Sequence, residues 1–173
     1  MKGKIMDQGN LVWNLNFALQ DSVSNYSKFS GYVQDLPFAT MNPMIRNFLN
    51  IKVTKGHLQR LDFVGRTDTW NSYGHVAFRY RDMDFDIYSL KDLSVTKRNT
   101  ALSDLAKIAL YKQNPLPNGQ FRLADFKFRR MPHESSIMLW VGGILIGAVK
   151  TCVKDFVFQI VEDMTQTKIN EVL

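Results

Sequence analysis

The chain has 173 residues, of which 45% are apolar, and its 22 Lys and Arg against 16 Asp and Glu give a net charge of +6. A chain of this length buries roughly two-thirds of its unfolded surface, so a single domain can be stable without metals or disulfides. The single cysteine, Cys152, excludes an intrachain disulfide and a multi-cysteine zinc site. The positive charge favours anionic partners such as phosphate headgroups, lipopolysaccharide or nucleic acid, although such a charge is also ordinary for a soluble surface.

The first ten residues, MKGKIMDQGN, carry two lysines but no apolar stretch. They therefore do not predict a signal peptide. A chain that begins in this way is expected to be either cytosolic or part of a longer protein whose targeting segment lies upstream.

Two strands are predicted near the N-terminus. Residues 11–20 alternate apolar and polar side chains, with Trp13, Leu15 and Phe17 on the apolar side. Residues 28–36 carry a weaker strand pattern. The alternation in the first segment predicts a strand that is buried on one face.

A short helix and a bent strand are predicted next. Asn42 is expected to cap the helix, and Pro43 suits its first turn. Residues 51–65 return to strand composition and are interrupted at Gly56, which predicts a bend or a turn.

Residues 73–90 form a strand whose apolar positions change parity midway. The apolar side chains are, in order, Val76, Phe78, Tyr80, Met83, Phe85 and Ile87. The change of parity predicts a β-bulge or a tight turn near Arg81 and Asp82.

Three further elements are predicted in the C-terminal half. Residues 100–112 have helical periodicity, and a loop with two prolines and an Asn-Gly pair follows at 113–119. Residues 120–130 form a strand with a second change of parity, from Phe121 and Leu123 to Phe126 and Phe128. The remainder, from about Ser135 to Met164, is predicted to be helical.

Motifs for catalysis or metal binding are sparse. The stretch DMDFD at 82–86 resembles the start of a calcium loop, but the turn glycine would fall at Ile87 and the bidentate glutamate at Leu93. The acids of that stretch instead fit the polar face of a strand. No HExxH, GxSxG, GxxxxGK[ST] or GxGxxG motif is present, and His133 and Glu134 would diverge on a helix. We therefore expect no enzymatic activity, no cofactor and no metal.

Basic residues alternate with aromatic ones in two of the predicted strands. The basic positions are Arg79, Arg81, Lys127, Arg129 and Arg130, and the aromatic ones are Tyr80, Phe126 and Phe128. A binder of single-stranded nucleic acid needs both kinds of side chain on one exposed face. Strand alternation puts these two sets on opposite faces, so nucleic-acid binding is not predicted.

The longest apolar run is IMLWVGGILIGAV at 137–149. As a helix it would cover about 20 Å, which is short of the roughly 30 Å hydrocarbon core of a membrane. Gly143 and Gly147 share a narrow stripe with Lys150 and Lys154, while almost all other positions are apolar. We expect a helix that covers the sheet, with glycines that permit close approach; lipid or partner contact through an exposed flank and membrane insertion remain as alternatives.

Read in order, these segments resemble the C-terminal region of AsmA-like proteins of the Bacteroidota cell envelope, relatives of AsmA and TamB. The family pattern has an Asn-Pro after a strand, a Gly-led strand ending in apolar-x-Phe, a Gly-led strand with Tyr-x-Asp, and a Trp-bearing helix containing glycine. The matching positions here are Asn42, Pro43, Gly56, Leu61, Phe63, Gly74, Tyr80, Asp82, Trp140 and Gly147. The resemblance covers residues 28 to 150.

The resemblance implies long antiparallel strands that curl into a groove or half-barrel, with an apolar concave side that shelters lipid acyl chains between membranes. It also implies a periplasmic location, a membrane anchor upstream of this chain and a place at the end of a longer protein. The family has no catalytic residues to carry over.

Together, the residues and the resemblance predict one domain over residues 1–173, with an α+β, β-dominated fold. We expect a curved antiparallel sheet with a short helix, a middle helix and a C-terminal apolar helix that covers it. The expected function is a non-enzymatic cell-envelope module that binds or guides lipid acyl chains in outer-membrane assembly or lipid transport. The side chains expected to line the apolar groove are Trp13, Phe17, Phe78, Tyr80, Phe85, Phe126, Trp140 and Ile144.

Expected partners are lipid acyl chains or anionic headgroups, a membrane surface contacted peripherally, and other envelope proteins, with no nucleic acid. The alternative function is a structural or protein-interaction module of the envelope. Such a module would have a closed core and would bind no lipid.

Overall fold

The computed structural model describes residues 1–16, 26–43, 51–87, 104 and 108–154. Within these residues, six strands form one antiparallel sheet in which each strand pairs with its neighbour in the chain. The elements are β1 (Lys2–Ile5), β2 (Gly9–Asn16), β3 (Ser27–Pro37), a 3-10 turn (Phe38–Met41), β4 (Ile51–Thr67), β5 (Asn71–Ile87), β6 (Leu123–Arg129) and helix α1 (Met138–Cys152). The sheet is curved and not closed, which confirms the predicted fold class.

The two other predicted helices fall mostly outside the described residues. Helical backbone conformation is recorded for Asn42 and Pro43 and for Asp104, Ile108 and Ala109. The first strand, β1, was not predicted at all. It pairs with β2 through a turn in which Met6 and Asp7 have positive φ angles of 52° and 59°.

Residues that pair across the sheet point to the same face, so the register shows which side chains share the concave, inner face. One register line joins Trp13, Gly31, Phe63 and Val76. The neighbouring positions on this face are apolar and form the core, together with residues of α1. The opposite, outer face carries polar side chains, as the alternation in the sequence predicts.

The long hairpin of β4 and β5 is bent by irregularities in its register. Pairing shifts between Val53 and Lys55, between Lys55 and His57, and between Leu58 and Arg60. Gly56 has a φ of 125°, and a Cβ there would lie 2.7 Å from the ring of Phe38, so glycine is required on both counts. The predicted bend in β4 is confirmed.

The predicted irregularity in β5 is also confirmed. His57 pairs with Arg81, and Lys55 pairs with Asp84. Between these two pairs β4 has one residue and β5 has two, so β5 contains one extra residue. Asp82 in this interval has a φ of 54°, a conformation that places an extra residue in the strand. The bulge lets both Tyr80 and Phe85 point inwards.

The prediction for the last strand was wrong in its first residues. β6 begins at Leu123 and not at residue 120, and Leu123 is exposed. Phe121 precedes the strand and lies under the guanidinium of Arg79, with 4.6 Å between the Arg79 Cζ and the ring centroid. The change of parity therefore marks the start of the strand and not a bulge.

Helix α1 covers β5 and β6 and touches β4 to a smaller extent. Cβ atoms built at Gly142, Gly143 and Gly147 would lie 2.6–2.8 Å from Phe128, Phe126 and Val76. The prediction that glycines permit close approach to the sheet is therefore confirmed. The predicted end at Met164 was wrong, because the helix ends at Cys152 and Val153 forms a bridge to Leu110.

The described part of the chain contains no helix of the length and apolar character that a membrane crossing needs.

Candidate apolar site between strand β2 and helix α1

Most of the side chains expected to line an apolar groove lie in a closed core. Phe78, Tyr80, Phe85, Phe126 and Ile144 are exposed by 7%, 1%, 6%, 3% and 7%. All five belong to one core cluster, to which the strands contribute the four aromatic side chains and α1 contributes Ile144. Phe17, which was predicted in the same strand as Trp13, lies outside the described residues.

The end of the sheet near the 3-10 turn is filled by aromatic rings. Phe38 meets Phe78 and Tyr80 edge-on, with ring centroids 5.7 and 6.2 Å apart, and the latter two rings are 4.7 Å apart. Such pairs contribute about 0.5–1.5 kcal/mol each beyond the burial of their area. This end of the inner face is therefore a packed core.

Two asparagines, through their side chains, fasten chain segments to this core. Asn42 donates to the Val53 carbonyl (2.9 Å) and accepts from the Val53 N–H (2.8 Å). The prediction that Asn42 caps a helix involves residues 44–50, which lie outside the described residues, whereas the described contact of its amide is with β4. Asn114 is wholly buried and donates to the carbonyls of Phe78 (2.7 Å) and Arg122 (2.9 Å).

Two titratable groups in the core, the Tyr80 hydroxyl and the Cys152 thiol, keep their protons. Burial, and then the neighbouring Cys152, raise the pKa of Tyr80, whose hydroxyl donates to the Tyr111 carbonyl at 3.0 Å. Burial also raises the pKa of the Cys152 thiol to about 12, and this thiol donates to the Ala148 carbonyl. At neutral pH neither group is ionised, so Cys152 is not poised as a nucleophile.

Trp13 and Trp140 behave differently, because each is only half-buried. Trp13 lies on the inner face of β2, which α1 does not cover, and packs edge-on against Phe63 at 5.2 Å. Trp140 extends from the first turn of α1 to meet Trp13, with 6.3 Å between ring centroids. The two indoles form a seam between the helix and the edge of the sheet; we call Trp13 and Trp140 the tryptophan seam.

Polar atoms in the tryptophan seam lack partners. Both indole nitrogens are buried, and neither has a hydrogen-bond partner in the part of the chain that the structure describes. Leu15, which follows Trp13 by two residues on the same face of β2, is 37% exposed. Ile137, the residue before α1, is 54% exposed. The tryptophan seam thus combines two buried, unpartnered N–H donors with exposed apolar side chains at its borders.

The described titratable side chains offer no metal-binding cluster. His75 and Asp125 face each other on the outer face at 4.0 Å, and both are well exposed to solvent. No group of three His, Cys, Asp or Glu residues within the described ranges could hold a metal ion. Asp84 of the DMDFD stretch accepts the Phe85 N–H instead.

The outer face carries a feature that the alternation argument missed. Tyr80 and Phe126 do face away from the exposed cations beside them, as predicted. However, Tyr32 and Tyr73 lie on the outer face, where Arg60 lies 3.9 Å from the Tyr32 ring and Arg66 lies 5.8 Å from the Tyr73 ring. Both tyrosines have the parity opposite to the buried apolar positions of their strands, and this signal could have revealed them.

Comparisons with known proteins add no relative. No protein-family model matches the chain, and neither the curated proteins nor the solved structures yield a significant match.

Proposed function

We propose that this protein is a non-enzymatic module of the cell envelope that binds lipid acyl chains along the tryptophan seam. The envelope location, and the place of the module in lipid transport or outer-membrane assembly, are supported by the sequence resemblance to AsmA-like proteins. The observation that carries the binding proposal is the pair of buried, unpartnered indole N–H groups of Trp13 and Trp140 beside exposed apolar side chains.

The two parts of such a ligand have separate roles. Each methylene that leaves water contributes about 0.8 kcal/mol, so a few methylenes along Leu15 and the indole rings give measurable affinity. A carboxylate or ester oxygen would accept a hydrogen bond from an indole N–H. Since an unpaired buried donor costs roughly 1–3 kcal/mol, satisfying it adds specificity for lipids over plain hydrocarbon.

The proposal is tested by lipid extraction and by binding of a fluorescently labelled fatty acid. Trp140→Phe removes the donor and retains an aromatic ring, and we expect it to weaken binding about 5- to 10-fold, while Trp13→Ala opens the seam and weakens binding further. Trp70→Phe, on the β4–β5 turn, is the matched control and should bind as wild type. Absence of co-purified lipid together with no uptake of the labelled fatty acid would contradict the proposal.

A protein-interaction module with a closed core is the second candidate. The observation that favours it is that the inner face below α1 is packed, whereas Ile146 and Val149 on the outer side of α1 are 37% and 43% exposed. In that case the lipid assays give no binding, and Val149→Asp disrupts a complex recovered by crosslinking from the envelope fraction. A wild-type crosslinking pattern in that variant would rule this candidate out.

A further inference from the structure

The end of the sheet at the β4–β5 turn concentrates positive charge. Lys28, Arg66, Tyr73 and Lys127 form one register line across β3, β4, β5 and β6 on the outer face. Two residues nearer the turn, Arg129 pairs with Asn71, and Arg130 follows Arg129 in the chain. Because adjacent strands lie about 4.8 Å apart, the three cations of the line fall within roughly 15 Å.

Two carboxylates at this end accept backbone hydrogen bonds. The Asp68 Oδ1 accepts the backbone N–H groups of Trp70 (2.7 Å) and Asn71 (2.6 Å). The Glu134 Oε2 accepts the Met131 N–H at 2.8 Å. These acids order the turns, but hydrogen bonds to backbone N–H groups do not cancel their charge. Together with the exposed Asp125 they are three acids against five cations, so this end keeps a net positive charge.

Large apolar and aromatic side chains are exposed at the same end. Arg130 joins the turn to the segment before α1: its N–H donates to the Trp70 carbonyl, its guanidinium lies 4.8 Å from the Trp70 ring, and its Nη1 donates to the Glu134 carbonyl. The exposed side chains, with their exposed fractions, are Trp70 (43%), Met131 (57%), Ile137 (54%), Tyr26 (37%) and Leu15 (37%). We call these five residues, with Lys28, Arg66, Lys127, Arg129 and Arg130, the basic-apolar end.

We propose that the basic-apolar end docks the protein peripherally on the surface of an anionic lipid bilayer. Lys and Arg side chains are attracted to anionic headgroups, while Trp and Tyr rings prefer the headgroup level and aliphatic side chains enter the acyl boundary. The cations of the basic-apolar end therefore match the anionic headgroups, and its aromatic and aliphatic side chains match the boundary between headgroups and acyl chains.

Single-stranded nucleic acid fits this surface less well. Bases stack on open aromatic faces, but Arg66 already lies over Tyr26 (5.0 Å) and Tyr73 (5.8 Å), and Arg130 lies over Trp70. The exposed Met131 and Ile137 would have no partner on a phosphate backbone. Leu15 and Ile137 border both surfaces, but the docking uses neither indole N–H group of the tryptophan seam.

Co-sedimentation with vesicles of phosphatidylcholine, with and without phosphatidylglycerol, tests the docking. We expect salt-sensitive binding to the anionic vesicles only. Lys28→Gln, Lys127→Gln and Arg129→Gln together should weaken it about 100-fold, since each cation contributes roughly fivefold. The matched triple variant Lys52→Gln, Lys55→Gln and Lys112→Gln removes the same charge elsewhere and should stay within threefold of wild type. Equal losses in the two triple variants would overturn the proposal.

A tryptophan probe reports the orientation of the bound protein. In Trp13→Phe/Trp140→Phe, Trp70 is the remaining tryptophan of the three in the chain, and circular dichroism verifies its fold. Its emission should shift to the blue on anionic vesicles and be quenched by brominated lipid. An unshifted emission, or binding of a single-stranded oligonucleotide without vesicle binding, would overturn the proposal. This variant lacks the indole donors of the tryptophan seam, so retained docking with lost fatty-acid binding separates the two proposals.

Discussion

The contact between α1 and the sheet makes a sharp prediction for Gly143→Ala. In an isolated helix this change stabilises by roughly 1 kcal/mol, because alanine loses less backbone entropy on folding. Here, however, the new Cβ would lie 2.6 Å from Phe126 Cε2 and 3.1 Å from Ser72 Oγ. Phe126 is 3% exposed and Ser72 is fully buried, so neither side chain has room to withdraw.

The magnitude follows from the two opposing effects. Overpacking a close-packed core costs typically about 1–3 kcal/mol, and here the helix itself must shift away from β6. Net of the gain of about 1 kcal/mol in helix propensity, we expect the free energy of unfolding to fall by up to about 2 kcal/mol. With a urea m-value of about 2 kcal/mol/M, the midpoint should fall by up to about 1 M.

Urea unfolding followed by circular dichroism measures this effect. Val149→Ala, on the exposed side of the same helix, is the control and should change stability by less than about 0.5 kcal/mol. Phe126→Leu should relieve the overlap, so the double variant with Gly143→Ala should lose less stability than the sum of the two single changes. If Gly143→Ala alone stabilises the protein, α1 does not approach β6 as described and the reasoning is refuted.

Three further predictions concern the polar groups of the core. Asn114→Ala removes hydrogen bonds to the backbone of Phe78 and Arg122 and should lower the free energy of unfolding, measured by urea titration, by about 2–4 kcal/mol. An unchanged midpoint would show that these hydrogen bonds do not stabilise the fold. Asn42→Ala leaves both Val53 backbone groups without that partner and should cost about 1–3 kcal/mol, with faster amide exchange at Val53, whereas exchange as in wild type would show that the contact is not formed. Because burial raises the pKa of Cys152 from 9.0 to about 12, the folded protein retains the thiol proton where the unfolded chain loses it, so this contribution to stability is complete below about pH 9 and is lost as the pH rises towards 12. The stability difference between wild type and Cys152→Ala should therefore change above pH 9 in favour of the variant, and a difference independent of pH would refute the assigned shift.

The one-sided burial of the sheet explains which features could be predicted from sequence. A strand with one face in the core must alternate, so Trp13, Phe78 and Phe126 were assigned to the correct face. The bulge near Asp82 was predictable for the same reason, because an extra residue reverses the alternation. The same rule misled at Phe121, which is apolar but lies under Arg79 before β6 begins.

Contacts between distant segments could not be predicted in this way. The side-chain amides of Asn42 and Asn114 bind backbone groups of other strands, and no local pattern distinguishes them from helix caps or loop residues. The basic-apolar end depends on the register of β3 to β6, which aligns Lys28 with Arg66 and Lys127. The tryptophan seam likewise needs the position of α1 over the sheet, although both tryptophans were predicted to contribute to an apolar site.

The order of the strands has a consequence for how the chain folds. Every strand pairs with its immediate neighbour in sequence, so each new ladder requires closure of a loop only as long as the connection between two consecutive strands. The β4–β5 turn, in which Asp68 accepts hydrogen bonds, has three residues and joins the two longest strands. We expect this hairpin to form the folding nucleus, onto which the outer strands then pair one after another. The chain should therefore fold faster than Greek-key sheets, in which strands distant in sequence must pair first.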